Sequence, residues 1–167
     1  AGEDILYGGD NFDTLDGGGG DDILDGHDGR DSYTGGEGTD IFVIRKGDGS
    51  DGFIQSNFIT DFEDGTDLIG LDNGLTFAEL TIQQGTAGSF SVAGYTFNYD
   101  YTNHTLVSVT ATGEYLFTIM DTISSDITES DFIAVDMDEA LANNFFVGIL
   151  DPGSSDIDVT PISLKLT

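Results

Sequence analysis

Asp4, Asp13, Asp22, Asp31 and Asp40 recur every nine residues, each two places ahead of a large apolar residue: Leu6, Leu15, Leu24, Tyr33 and Phe42. The register reads GGDNFDTLD from Gly8, GGGGDDILD from Gly17, GHDGRDSYT from Gly26 and GGEGTDIFV from Gly35, with half a repeat, AGEDILY, ahead of them. Few folds are open to such a chain. Six residues of each repeat are glycine or polar and supply no core, while the last three form one short strand with a single large side chain pointing inward. Glycine tolerates the positive φ that a tight, repeated turn requires. One repeat cannot bury its apolar face alone, so repeats stack into a parallel β-helix. Two repeats make one coil, and strands 18 residues apart lie about 4.8 Å from one another. Asp4, Asp22 and Asp40 then line one edge of the stack, and Asp13 and Asp31 line the other.

Carboxylates stacked at that spacing repel by ~3.5 kcal/mol per pair at an effective dielectric of about 20. A hard cation reverses the sign. Calcium takes six to eight oxygens from carboxylates and backbone carbonyls, which glycine turns expose, whereas magnesium prefers a rigid octahedron and keeps its waters. The pattern therefore points to calcium.

On these motifs residues 1–72 resemble the RTX (repeats-in-toxin, hemolysin-type) β-roll of proteins exported by bacterial type I systems. In that family each calcium lies between two turns 18 residues apart. The earlier turn offers repeat positions two, four and six, and the later turn offers positions one, three and six. The resemblance thus implies a first ion among Gly2, Asp4, Gly17, Gly19 and Asp22. A second would use Gly9, Asn11 and Asp13 with Gly26, Asp28 and Asp31, and a third Gly18, Gly20 and Asp22 with Gly35, Glu37 and Asp40. After Val43 the register slips by two residues, and KGDGSDGFI from Lys46 resumes it. A fourth ion would then join His27, Gly29 and Asp31 to Lys46, Asp48 and Asp51, making about three to four calcium ions in all.

Composition narrows the partners. Net charge is −28, and only Arg30, Arg45, Lys46 and Lys165 oppose 32 acids. Phosphate backbones need basic neutralisation, so nucleic acid is excluded, and anionic membrane surfaces are disfavoured for the same reason. No apolar run approaches the roughly 18 residues of a membrane span, and the first residues do not read as a signal peptide. The chain has no cysteine, hence no disulfide framework and no thiolate metal site. So acidic a repeat segment stays unfolded without its ions. Low cytosolic calcium would keep it extended for export, and calcium outside would fold it.

ITDFEDGTDLIGL, from Ile59 to Leu71, resembles the segment that closes RTX repeats. Asp61 and Asp67 read as surface acids of that turn, with a further calcium as the other reading, and Phe53, Phe58, Phe62, Leu68 and Leu71 read as its apolar cap. From Leu75, runs such as LTFAELTI, SFSVAGYTFNY, TLVSV and EYLFTIM predict a small antiparallel β module on the end of the roll, with hairpin corners at Ala93–Tyr95 and Ala111–Gly113. LTFAEL, TGEYL and ITESDF are similar to strings that follow RTX repeats in exported proteins of cyanobacterial type. Tyr95, Phe97, Tyr99 and Tyr101 alternate on one face and read as half a sheet core with partly exposed tyrosines, the other reading being an aromatic binding strip. Asp136–Val147 has the capping-box spacing and apolar face of a short helix, and PISLKLT alternates like a terminal strand. The predicted fold class is all-β: a roll with its closing segment over 1–72, an antiparallel module over 73–135, and a tail over 136–167. By resemblance, residues 132–167 are similar in composition to a type I export signal.

No HExxH, GxSxG or SxxK occurs, and neither His27 nor His104 has a cysteine or evident serine partner, so both read as solvated turn residues. The chain reads as a non-catalytic, extracellular or cell-surface calcium module. Its start inside a repeat suits the C-terminal part of a larger exported protein. Two other readings compete: a subunit of a calcium-dependent filament, sheath or surface layer, and the accessory tail of a secreted enzyme. Expected partners are calcium, the bacterial type I secretion machinery, and further copies of the chain through the roll's end or the terminal strand.

Overall fold

The computed structural model describes residues 2–137. The nine-residue period folds as its spacing predicts. Strands β1 (Ile5–Tyr7), β3 (Ile23–Asp25) and β5 (Ile41–Ile44) stack in parallel with Ile5, Ile23 and Ile41 in register. On the opposite side β2 (Thr14–Gly19) and β4 (Ser32–Glu37) pair in parallel, Thr14 against Ser32 and Leu15 against Tyr33. Each strand sends one large side chain inward. Leu24, Tyr33 and Phe42 are all but fully buried, and the two aliphatic or phenyl side chains among them contribute ~1.5–3 kcal/mol each.

The coil then lengthens. β6 (Asn57–Ile59) stacks on β4 with a separation of 26 residues, and β7 (Leu68–Leu71) stacks on β5 with 27. The extra residues between Arg45 and Ser56 form an excursion ending in a 3-10 turn, Phe53–Gln55.

Neither sheet stops at residue 72. Phe132–Ala134, here β13, adds in parallel to β7, giving a five-stranded sheet in the order β1-β3-β5-β7-β13. In the other sheet β12 (Tyr115–Ile119) adds in parallel to β6, and β11 (Thr105–Val109) and β8 (Leu80–Gln84) follow in antiparallel fashion. The later strands thus join the roll edge to edge instead of packing across its end. One core runs from Leu15 and Leu24 through Ile59 and Ile69 to Val107, Phe117 and Ile127. Of the expected cap, Phe62 and Leu71 enter that core, whereas Phe53 lies against Tyr99, Tyr101 and Tyr115, and Phe58 lies under Arg30.

One hairpin pairs only with itself among the described residues: β9 (Ala87–Val92) with β10 (Tyr95–Asp100). Its turn, Ala93–Gly94, has φ of 52° and 84°, the two positive values of a type I′ hairpin corner. Tyr99 and Tyr101 are anchored on Phe53, but Tyr95 and Phe97 are 73% and 50% exposed. The expected half-core is therefore present only at the root of the hairpin. The helix predicted from Asp136, the terminal strand and most of the proposed export signal lie outside the described residues.

Candidate metal centre

The two edges of the roll are built from its turns. On the first edge, leading into the five-stranded sheet, lie Asp4, Asp22, Asp40 and Asp67. On the second lie Asp13, Asp31 and Asn57. One bond type repeats along both. The backbone N–H of each aspartate donates to a side-chain oxygen of the residue one coil later: Asp4 to Asp22 at 2.7 Å, Asp22 to Asp40 at 2.9 Å, and Asp40 to Asp67 at 3.0 Å. Asp13 donates to Asp31 at 2.9 Å, and Asp31 to Asn57 at 2.8 Å.

This ladder uses one oxygen of Asp22, Asp31 and Asp40. Their other oxygen, Oδ2, is buried without a hydrogen-bond partner, as is Oδ2 of Asp13 at the start of the second edge. A buried, unpaired anionic oxygen costs several kcal/mol unless it takes a proton or a cation. Burial raises the carboxyl of Asp22 above its usual range and pushes those of Asp31 and Asp40 up to about 6, against the lowering effect of the amides that bond them. Each orphan oxygen faces the glycine that opens its own turn. A Cβ at Gly17 would run into Asp22 Oδ2, one at Gly26 into Asp31 Oδ2, and one at Gly35 into Asp40 Oδ2. Repeat positions one and six of a single turn therefore lie side by side.

The carbonyls of those sets also meet. Gly2 N–H donates to the Gly19 carbonyl and Gly20 N–H to that of Glu37, both at 2.8 Å. Gly9 donates to Gly26 at 3.2 Å and Asn11 to Asp28 at 2.8 Å, while Gly18 lies beside Gly36. Each such carbonyl keeps a second lone pair. The turns touch so closely that a Cβ at Gly20 or Gly38 would strike the carbonyl one coil earlier, and both have φ beyond +110°. Buried carboxylate oxygens beside turn carbonyls are a hard, all-oxygen donor set, and they fit calcium. When bound, the ion supplies the positive charge that the stacked turns lack.

The fourth predicted set is corrected by the observed register. Asn57, not Asp51, stands over Asp31. Asp51 is exposed, Lys46 Nζ pairs with Glu79 at 2.6 Å, and Asp48 turns inward to Arg45. Gly29 packs against the Asn11 carbonyl of the coil before. His27 keeps a left-handed φ of 63° and packs tilted against Tyr7, with its Nδ1 buried. His104 is not a solvated residue either: its Nδ1 accepts the Asp121 N–H at 2.9 Å.

The sequence reading missed one rung, and Asp61, exposed as expected, adds a backbone clasp. Asp67 is not a surface acid but is buried on the ladder, where its oxygens accept the Asp40 and Glu63 amides. Asp61 chelates the Gly35 and Gly36 amides at 2.9 and 3.0 Å. A signal for Asp67 was available, since TDLI from Thr66 repeats the TDIF that starts at Thr39.

Residues 9–134 match the family described as Peptidase M10 serralysin C terminal. The chain belongs to this family. It is a calcium-binding β-roll of the RTX type found in secreted proteins. Among solved structures, the serralysin-type chain is similar to the AlgE6R3 subunit of the Azotobacter vinelandii mannuronan C5-epimerase, with 21% identity, a TM-score of 0.44, and coverage of 97% of this chain and 88% of that one. None of the curated proteins compared matches the sequence.

Proposed function

We propose that this chain is a non-catalytic extracellular module that folds on calcium after export and serves a structural or secretion role. The supporting observation is the run of four buried carboxylate oxygens without a partner, on both edges of one roll. Three ions are assigned: one on Gly2, Asp4, Gly17, Gly19 and Asp22, one on Gly9, Asn11, Asp13, Gly26, Asp28 and Asp31, and one on Gly18, Gly20, Asp22, Gly35, Glu37 and Asp40. Each stabilises the fold by about 2.7 kcal/mol when free calcium exceeds its dissociation constant 100-fold. The low calcium of a cytosol would leave the roll open for export.

A second reading, a subunit of a self-assembling layer or filament, is favoured by the β9–β10 hairpin. Phe90, Val92, Tyr95 and Phe97 are 44%, 58%, 73% and 50% exposed on one face, and no charged residue occurs from Leu80 to Tyr99. Apolar patches of that kind commonly mark contact surfaces. Calcium titration followed by circular dichroism and light scattering tests both readings. A cooperative β signal at constant particle size supports the folded module, and a rise in scatter that chelator reverses supports assembly. No spectral response to calcium overturns the proposal.

A further inference from the structure

The place where the repeat pattern asks for a fourth calcium is filled by the protein itself. We propose that Arg45 is the resident cation of the roll's second edge, its guanidinium standing where an ion would otherwise bridge the coils.

Arg45 follows directly on β5, at the start of the lengthened turn. Its Nη1 and Nη2 form a two-pronged contact with Asp25 at 3.0 and 2.7 Å. Nη1 also reaches Asp48 at 3.1 Å, and Nε and Nη2 both lie 2.9 Å from Asp72 Oδ2. Asp25 ends β3 and Asp72 follows β7, so one side chain ties three successive coils. All three carboxylates are buried, and the Arg45 side chain is 11% exposed. A planar guanidinium with its donors shared among carboxylates in two-pronged geometry is the arrangement arginine makes best, and it stays charged at every accessible pH. An ion at this spot would have to displace that charge.

The rest of the edge agrees. The rung over Asp31 is neutral Asn57, which satisfies the Asp31 amide without adding a carboxylate. Asp48, predicted as an ion ligand, is instead turned onto Arg45. Asp72 is held further by the Met137 amide on its other oxygen, at 3.2 Å, and Asp25 by that of His27, at 3.1 Å. These carboxylates therefore keep no orphan oxygen, unlike those of the ladder. The excess of three acids over one base persists, and burial pushes the Asp48 carboxyl up to about 7 against the lowering effect of Arg45.

The inference rests on the calcium reading only for its contrast with the other rungs, and the test separates the two. Calcium bound by the full chain is counted by native mass spectrometry for the parent, Asp48→Asn and Asp13→Asn. Amide exchange at Asp72 and Met137 is measured in chelator for the parent and Arg45→Gln. The expected result is an unchanged ion count in Asp48→Asn, one ion lost in Asp13→Asn, and exchange at Asp72 and Met137 about 10²- to 10³-fold faster in Arg45→Gln, the penalty for stranding a buried ion-pair partner. Loss of one ion in Asp48→Asn, or unchanged exchange in Arg45→Gln, overturns it. A parent that binds no calcium defeats the proposed function, while the exchange measurement still decides the role of Arg45.

Discussion

The coils up to Ile44 and the segment that closes them solve one electrostatic problem in opposite ways. Both stack carboxylates at coil spacing. In the repeats, Asp13, Asp22, Asp31 and Asp40 each keep a buried oxygen with no protein partner. In the closing segment Asp61 and Asp67 have both oxygens on backbone amides, and Asp72 is held by Arg45 and Met137. In the regular turns the amides of Asp4, Asp13 and Asp22 go to the first oxygen of the aspartate one coil later, and the second oxygen of that aspartate receives none. Irregular turns, lengthened to 26 and 27 residues per coil, free amides and admit an arginine. Regularity leaves carboxylate oxygens open to a cation, and departure from it gives them partners from the protein.

The largest effect that would break this comparison is chelation. Removing calcium should erase amide protection in turns Gly17–Asp22 and Gly35–Asp40 while β7 and β12 keep theirs. Uniform loss across both regions in hydrogen exchange would show that the closing segment has no independent hold. Next comes Asp22→Ala, which removes a ligand from two proposed ions. It should cost about 5 kcal/mol in saturating calcium, two ions' worth, and a urea titration no different from that of the parent would contradict the assigned stacking.

Phe117→Ala empties the shared core beside Tyr33, whose ring lies 5.2 Å away, and should cost ~3–5 kcal/mol. Because the core is continuous, thermal melts of this variant should show one transition in calcium. Two transitions would mean that the regions melt separately.

A smaller effect concerns pH. In chelator the carboxyl of Asp48, near 7 and held on Arg45 beside the closing segment, lies above the ordinary aspartate value of 3.8, so the folded state holds more protons than the unfolded one. Stability should then rise as pH falls from about 7.5 towards 5, and level off near 4. With calcium the trend should reverse, since protons compete for the ladder oxygens. Denaturation midpoints at three pH values in each condition check the sign. Smallest of all, Tyr95→Ser on the exposed hairpin should change stability by under ~0.5 kcal/mol. If it also abolishes calcium-dependent scatter, the assembly reading gains its contact surface.

Much of the roll was legible because a period repeats its own evidence. Each aspartate two places before a large apolar residue names a rung and a core position together, and Asp4 through Phe42 fall where that rule puts them. The same rule misplaced Asp51. GSDGF imitates the repeat, but a loop absorbs any number of residues, and local spelling cannot say which acid returns to the stack. The role of Arg45 was equally hidden, since its partners Asp25 and Asp72 are 20 and 27 residues away and neither stands at the aspartate position of the repeat.

By itself the sequence determined the coil of 18 residues, the two acidic edges and the hard-cation chemistry, because those follow from spacing and side-chain type within one repeat. Tertiary structure alone decided where the ladder ends, that β12 and β13 extend the roll's own sheets, and that one arginine stands in the second edge. Those outcomes depend on which strand edges and carboxylates meet across long stretches of chain. Local periodicity holds no record of that.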